Sequence, residues 1–173
     1  MKSATRTITV TGMLSAIAIV LGLTPLGLIP VPTLAGRATI MHIPVIIGAI
    51  LEGPMVGMFV GLIFGMISFI TAASPLLKNP IIAILPRILI GLFAYYAYRW
   101  TRSSVLSALI GGITNTIGVL GLGVLFKLIP AAAGVGIALT HGVPEAIVGA
   151  LITVIVVKAL KKAFPRTLGE NRA

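Results

Sequence analysis

Long apolar runs broken only by isolated charges limit what this chain can fold into. Charged residues make up 9% of the 173 positions and hydrophobic residues 58%, with a mean hydropathy of +1.16. Soluble domains carry roughly 25% charged residues. A chain this apolar cannot hide its hydrophobic side chains behind a water-facing surface, so lipid is the solvent for much of it. Six apolar runs stand out, at about 8–23, 40–52, 55–72, 81–98, 104–126 and 140–160. At about 20 residues per crossing they use about 120 positions. The expected fold is an all-α integral membrane protein, a six-transmembrane-helix bundle forming one membrane domain over 1–173 with a polar tail at 161–173. No stretch remains for a soluble catalytic or ATP-hydrolysing domain.

Punctuation between the runs supports these limits. Thr24-Pro25 ends the first run, and the Gly- and Pro-rich stretch that follows is long for a loop in so small a protein. Glu52-Gly53-Pro54 reads as a tight turn, Pro86-Arg87 interrupts the fourth run, and the Gly-rich 131–138 reads as a loop or short re-entrant piece. Gly57, Gly61 and Gly65 recur every fourth residue, a spacing that lets another helix backbone approach, here expected from within the same chain. The first six residues resemble the basic start of a signal peptide. No small-residue cleavage site leads into a polar chain, so the first run reads as a retained helix.

The formal net charge is +10, and cysteine is absent, which removes disulfides and thiolate chemistry. The positive balance reads as contact with anionic lipid head groups. A nucleic-acid partner would need a clustered basic face interleaved with aromatics, which is missing. With six crossings both termini share a side. That side holds nine Lys and Arg, the other holds Arg37, Lys78 and Lys127, and Arg87 falls inside a span. This imbalance predicts cytoplasmic termini in a multi-pass cell membrane protein. Trp100 and the tyrosines at 95, 96 and 98 read as an interfacial belt.

Ionisable groups inside hydrocarbon are expensive and face a cavity or a partner. The candidates are few. His42 lies near the outer end of the second span. Arg87 lies about 10 Å below Asn79, and Asn115 roughly 18 Å in from Lys127, at 1.5 Å of rise per residue. Glu145 lies about one turn inside the sixth span, beside His141. In one bundle these groups surround an outward-facing pocket with Asn115 near its floor, the arrangement small-molecule binding uses. Structural readings stand beside this one. Arg87 and Glu145 also suit a pair that holds two helices together, which is weak support for either stability or function. His42 also suits a loop carbonyl, Asn115 an interhelical hydrogen bond, and Arg37 a solvated loop. Catalysis finds no support: two histidines and scattered carboxylates give no metal-ligand spacing, carboxylate pair or nucleophile elbow, and no Walker A loop is present. No catalytic residue, metal or cofactor is expected.

The residues also resemble a known family. The segment 39–49 with His42, Pro44 and Gly48, then Glu52-Gly53-Pro54, then Asn79-Pro80 with Leu85-Pro86-Arg87, carry part of the likeness. The segment 112–121 around Asn115 and the run His141-Gly142-Val143-Pro144-Glu145 carry the rest. In this order, over about 7–162, the chain resembles the substrate-binding S components of energy-coupling factor (ECF) vitamin transporters of prokaryotes, most of all their pantothenate-type branch. The resemblance implies a subunit that is not an enzyme and binds one vitamin from outside. It implies partners too: a transmembrane coupling subunit carrying two ATPase subunits, which would supply any ATP hydrolysis. By that likeness Arg37, His42, Asn79, Arg87, Asn115, His141 and Glu145 are candidate substrate-binding residues, and the long first loop is a gate. The family's small-residue motif on the first helix corresponds here to Gly12 and Ala16, with Gly in place of the first Ala, and would face the coupling subunit. Pyridoxine, hydroxymethylpyrimidine, folate and riboflavin are alternative vitamins. A stand-alone secondary transporter or a membrane assembly protein is a more distant alternative, because the inner half of the bundle carries few polar groups.

Overall fold

The computed structural model describes residues 4–30, 37–72 and 74–163, and its architecture is almost wholly helical. The helices are α1 (Ala4–Leu23), α2 (Ile43–Leu51), α3 (Pro54–Ile70), α4 (Pro80–Thr101), α5 (Ser104–Leu125), α6 (Ala131–Ile137) and α7 (Val143–Ala163). Two three-residue strands, β1 (Leu28–Pro30) and β2 (Arg37–Thr39), pair antiparallel in the loop after α1, with Ile29 opposite Ala38. The expected gate therefore contains a short hairpin; 31–36 and the tail 164–173 lie outside the described residues.

Helix α2 is the axis. It starts where Pro44 fits a first turn that needs no donor, and it ends at Glu52-Gly53, where Gly53 adopts φ +115 before Pro54 opens α3. The second span is expected over 40–52, yet α2 has nine residues, about 14 Å of helix, and all nine are buried. It is apolar all round because protein surrounds it, which periodicity alone cannot separate from a lipid-facing run. Helices α3, α4, α5 and α7 pack around it in sequence, with α1 against α2 and α3.

The Gly57-Gly61-Gly65 series faces α4, as the spacing predicts. A Cβ on Gly57 would stand 3.0 Å from the Gly91 Cα, one on Gly65 2.8 Å from the Ile84 Cα, and one on Gly61 would collide with the Arg87 carbonyl. Further along, Ser107 donates to the Ala94 carbonyl at 2.7 Å and ties α5 to α4.

Two runs differ from expectation. Pro86 does not interrupt α4, which runs unbroken over 22 residues. The 131–138 stretch is helical rather than a loop: α6 continues through a π-helical turn, Ala138–Gly142, into α7, giving one apolar helix over Ala131–Ala163. Gly134 lets α6 lie close to Val124 of α5, so tertiary packing overrides the local glycine signal. Among the described residues four helices are long and apolar enough to cross a membrane, and α3 is a shorter apolar helix of 17 residues.

The ends of the bundle are marked by polar contacts. At one end Arg6 of α1 meets Glu52 at 2.8 Å, and Lys161 of α7 donates to the Tyr98 hydroxyl of α4 at 2.6 Å. At the other end lie the hairpin, the 71–79 connection and the start of α6.

Helix glycines with and without a neighbour give a contrast of sign. Gly121 has open space where a Cβ would be added. Gly121→Ala is expected to stabilise by up to about 1 kcal/mol through helix propensity. Gly61→Ala is expected to destabilise by about 1–3 kcal/mol through overpacking. Thermal unfolding in detergent compares the two.

Candidate functional site

A cavity of about 560 Å³ opens at the hairpin end of the bundle. That volume lies within the range of small-molecule sites. Its walls are Phe64 and Ser68 of α3, Arg87 of α4, Asn115 and Thr116 of α5, His141 of the π turn and Glu145 of α7, with Thr39 and Met41 at the hairpin side.

Arg87 is placed by its neighbour. Pro86 has no N–H, so the Ile82 carbonyl one turn earlier loses its helical donor. The Arg87 Nη1 donates to that carbonyl at 2.8 Å. The guanidinium also lies 5.4 Å from the centre of the Phe64 ring. Arg87 is only 5% exposed, and its Nε has no hydrogen-bond partner among the described residues. An arginine in such a setting suits an anionic partner.

Glu145 gathers the second cluster. His141 Nε2 lies 3.1 Å from its Oε2, one helical turn back along the chain. Asn115 Nδ2 donates to its Oε1 at 3.4 Å, and His42 Nδ1 stands 3.7 Å from the same oxygen. The Asn115 amide oxygen is buried without a partner and is left as an acceptor. No ion pair joins Arg87 to Glu145 among the described residues, because each turns to other partners. The cavity thus presents a cation on its α4 wall and a carboxylate with amide and imidazole groups on its α5–α7 wall, over otherwise apolar lining.

Of the seven sequence candidates, Arg87, Asn115, His141 and Glu145 come together in this cavity. His42 lies behind it, fully buried, and does not line it. Asn79 caps α4, its side chain accepting from the Ile81 N–H at 3.0 Å, and it does not line the cavity either. Arg37 lies in β2 opposite Pro30, and its side chain lies outside the described residues. Phe64, Ser68 and Thr116 were not singled out. Phe64 reads as one more apolar residue of a span, and no sequence signal shows that it would face an arginine.

A second cleft, about 640 Å³, runs between α1 and α7 over α2. Aliphatic side chains line it, apart from the Arg6–Glu52 pair at one end. It offers a water-soluble ligand almost nothing to hydrogen-bond, so the polar cavity is the stronger candidate for a small-molecule site. Gly12 and Ala16 are exposed on α1, and no neighbour would meet a Cβ at Gly12.

Comparison with known proteins places the chain in a family. Residues 6–160 match the family described as ECF transporter, substrate-specific component. The chain is similar to the pantothenic acid transporter PanT of Lactococcus lactis subsp. cremoris (strain MG1363), at 33% identity over 155 residues, covering 73% of this chain and 79% of that protein. A solved structure of ThiT from Listeria monocytogenes has the same fold, with a TM-score of 0.64 at 22% identity, over 94% of this chain and 96% of that one.

A buried arginine that waits for an anion costs stability in the unliganded protein, whereas breaking a structural ion pair costs about 3–5 kcal/mol. Arg87→Met removes a buried charge but strands the Ile82 carbonyl, so it is expected to lower the thermal stability of the unliganded protein by about 1 kcal/mol, well short of the roughly 3–5 kcal/mol of a broken pair. A loss approaching that figure would mark Arg87 as structural.

Proposed function

Because this chain belongs to the family of ECF transporter substrate-specific components, we propose that it captures pantothenate from outside the cell for ATP-driven uptake. The observation that carries the ligand is the split polarity of the cavity. Pantothenate has a carboxylate at one end and hydroxyls at the other, with an amide between. The Arg87 guanidinium suits the carboxylate, with its Nε as a spare donor. Glu145, His141, Asn115 and Thr116 on the α5–α7 wall suit the hydroxyls and amide, and the His141 and Asn115 contacts to Glu145 engage its carboxylate there. The relative named for pantothenic acid supports the same reading.

In this reading the chain crosses a prokaryotic cell membrane six times with both termini in the cytoplasm. The crossings are α1, α2 with the extended segment before it, α3, α4, α5 and the continuous α6–α7 helix. The Arg6–Glu52 and Lys161–Tyr98 contacts support this, because the start of α1, the end of α7 and the α2–α3 turn lie at the bundle end opposite the cavity. The chain has no ATP-hydrolysing part in the described residues, and it docks on a transmembrane coupling subunit that carries two ATPase subunits. The exposed small residues Gly12 and Ala16 on α1 suit close contact with a partner helix.

Calorimetric titration of the detergent-solubilised protein tests the ligand. Pantothenate is expected to bind at micromolar concentration or below, and pyridoxine and riboflavin are expected to bind weakly or not at all. Arg87→Ala is expected to weaken pantothenate by roughly 10–100-fold, the worth of a charge-assisted hydrogen bond. It should affect pantothenol, the neutral alcohol analogue, far less. Binding of a different vitamin in preference to pantothenate would reassign the substrate.

Co-expression with a coupling subunit and its ATPases tests the partner. Gly12→Leu with Ala16→Leu is expected to abolish co-purification and leave pantothenate binding intact. Retained co-purification would move the docking face away from α1.

A further inference from the structure

His42 is fully buried and takes no part in the cavity lining. It is the residue before α2, and its imidazole fits a slot that two glycines leave open. A Cβ on Gly149 of α7 would stand 2.5 Å from the His42 Nε2, and one on Gly112 of α5 would stand 3.9 Å from it. Any side chain at 149 would therefore displace the ring. On the other side of the ring, Nδ1 faces Glu145 Oε1 at 3.7 Å, and neither ring nitrogen has a hydrogen-bond partner among the described residues. The charged and titratable groups around this point are Glu145 and His141 on the helix past the slot and Arg87 on α4, with the neutral Asn115 on α5.

We propose that His42 is a positioning residue for the pantothenate site: wedged between Gly112 and Gly149, it fixes the Glu145 carboxylate from behind through Nδ1. The proposal rests on the ligand reading given above. Glu145 stands on α7 just after a π turn, a region whose regular hydrogen-bond ladder is already disturbed. His141 and Asn115 hold the carboxylate from the cavity side, and both are needed by the ligand. A third contact, out of the ligand's reach, keeps the carboxylate in place when those two turn to the ligand. The 3.7 Å gap is longer than a hydrogen bond but within electrostatic reach, so the two groups are coupled before any ligand arrives. A small turn of the carboxylate toward His42 on ligand binding closes it.

Isosteric variants separate positioning from packing. The Asn amide reaches the place of Nδ1, and the Gln amide reaches the place of Nε2. His42→Asn is expected to keep pantothenate affinity within about 3-fold of the parent, whereas His42→Gln and His42→Leu lose about 10-fold or more. A packing role gives the reverse order, because Asn leaves the larger void, and that order would overturn the proposal. Gly149→Ala, which pushes the ring without changing any polar group, is expected to lower affinity in the same direction. Unchanged affinity in both His42→Leu and Gly149→Ala would also overturn it.

A ligand-free arm covers the case in which pantothenate does not bind. Thermal unfolding of His42→Leu, Glu145→Gln and the double variant forms a cycle. Non-additive melting shifts are expected, and additive shifts would overturn the proposal whatever the vitamin. If the cycle couples while pantothenate fails to bind the parent protein, the ligand reading falls and the role of His42 stands.

Discussion

The close approach of α3 and α4 sets the geometry on which the site depends. Gly57, Gly61, Gly65 and Gly91 let the two backbones touch, and the Gly61 position lies directly against the Arg87 carbonyl. In a membrane there is little hydrophobic drive between helices, so such intimate packing supplies much of the association. Because the contact is made at Arg87 itself, it fixes the height of the arginine against Phe64 on the facing helix. The cation wall of the cavity is a product of glycine spacing as much as of the arginine.

The opposite wall is built differently. Here the polar groups come from α5, the π turn and α7, and they meet through one carboxylate. His141 and Glu145 are four residues apart, one turn, so both reach the cavity from the same face of the helix. One wall thus relies on rigid backbone contact and the other on a side-chain network. Networks of that kind hold or fail as a unit, because a partly satisfied member is costly in a low-dielectric setting.

The sequence is most legible where composition and chemistry act alone. Apolar runs locate the helices, glycines at every fourth position locate the α3–α4 contact, and rare ionisable groups within spans find Arg87, Asn115, His141 and Glu145. It is less legible where the answer depends on what lies alongside. The uniform apolarity of α2 suits lipid or protein equally, and only packing shows that it is a buried axis. The glycines of 131–138 signal a loop, yet contact with α5 keeps α6 helical. Asn79 and His42 carry the right atoms for a ligand, but their place in a helix cap and in a glycine slot is a matter of three dimensions.

The Pro86–Arg87 step has a consequence for how such a chain can drift. The Arg87 hydrogen bond exists because Pro86 leaves the Ile82 carbonyl without its helical donor. Any other residue at 86 brings an N–H that competes for that oxygen and sets the guanidinium loose in a nearly dry pocket. Any short residue at 87 strands the carbonyl instead. The two codons therefore share a constraint, and a change at one alters what the other can tolerate.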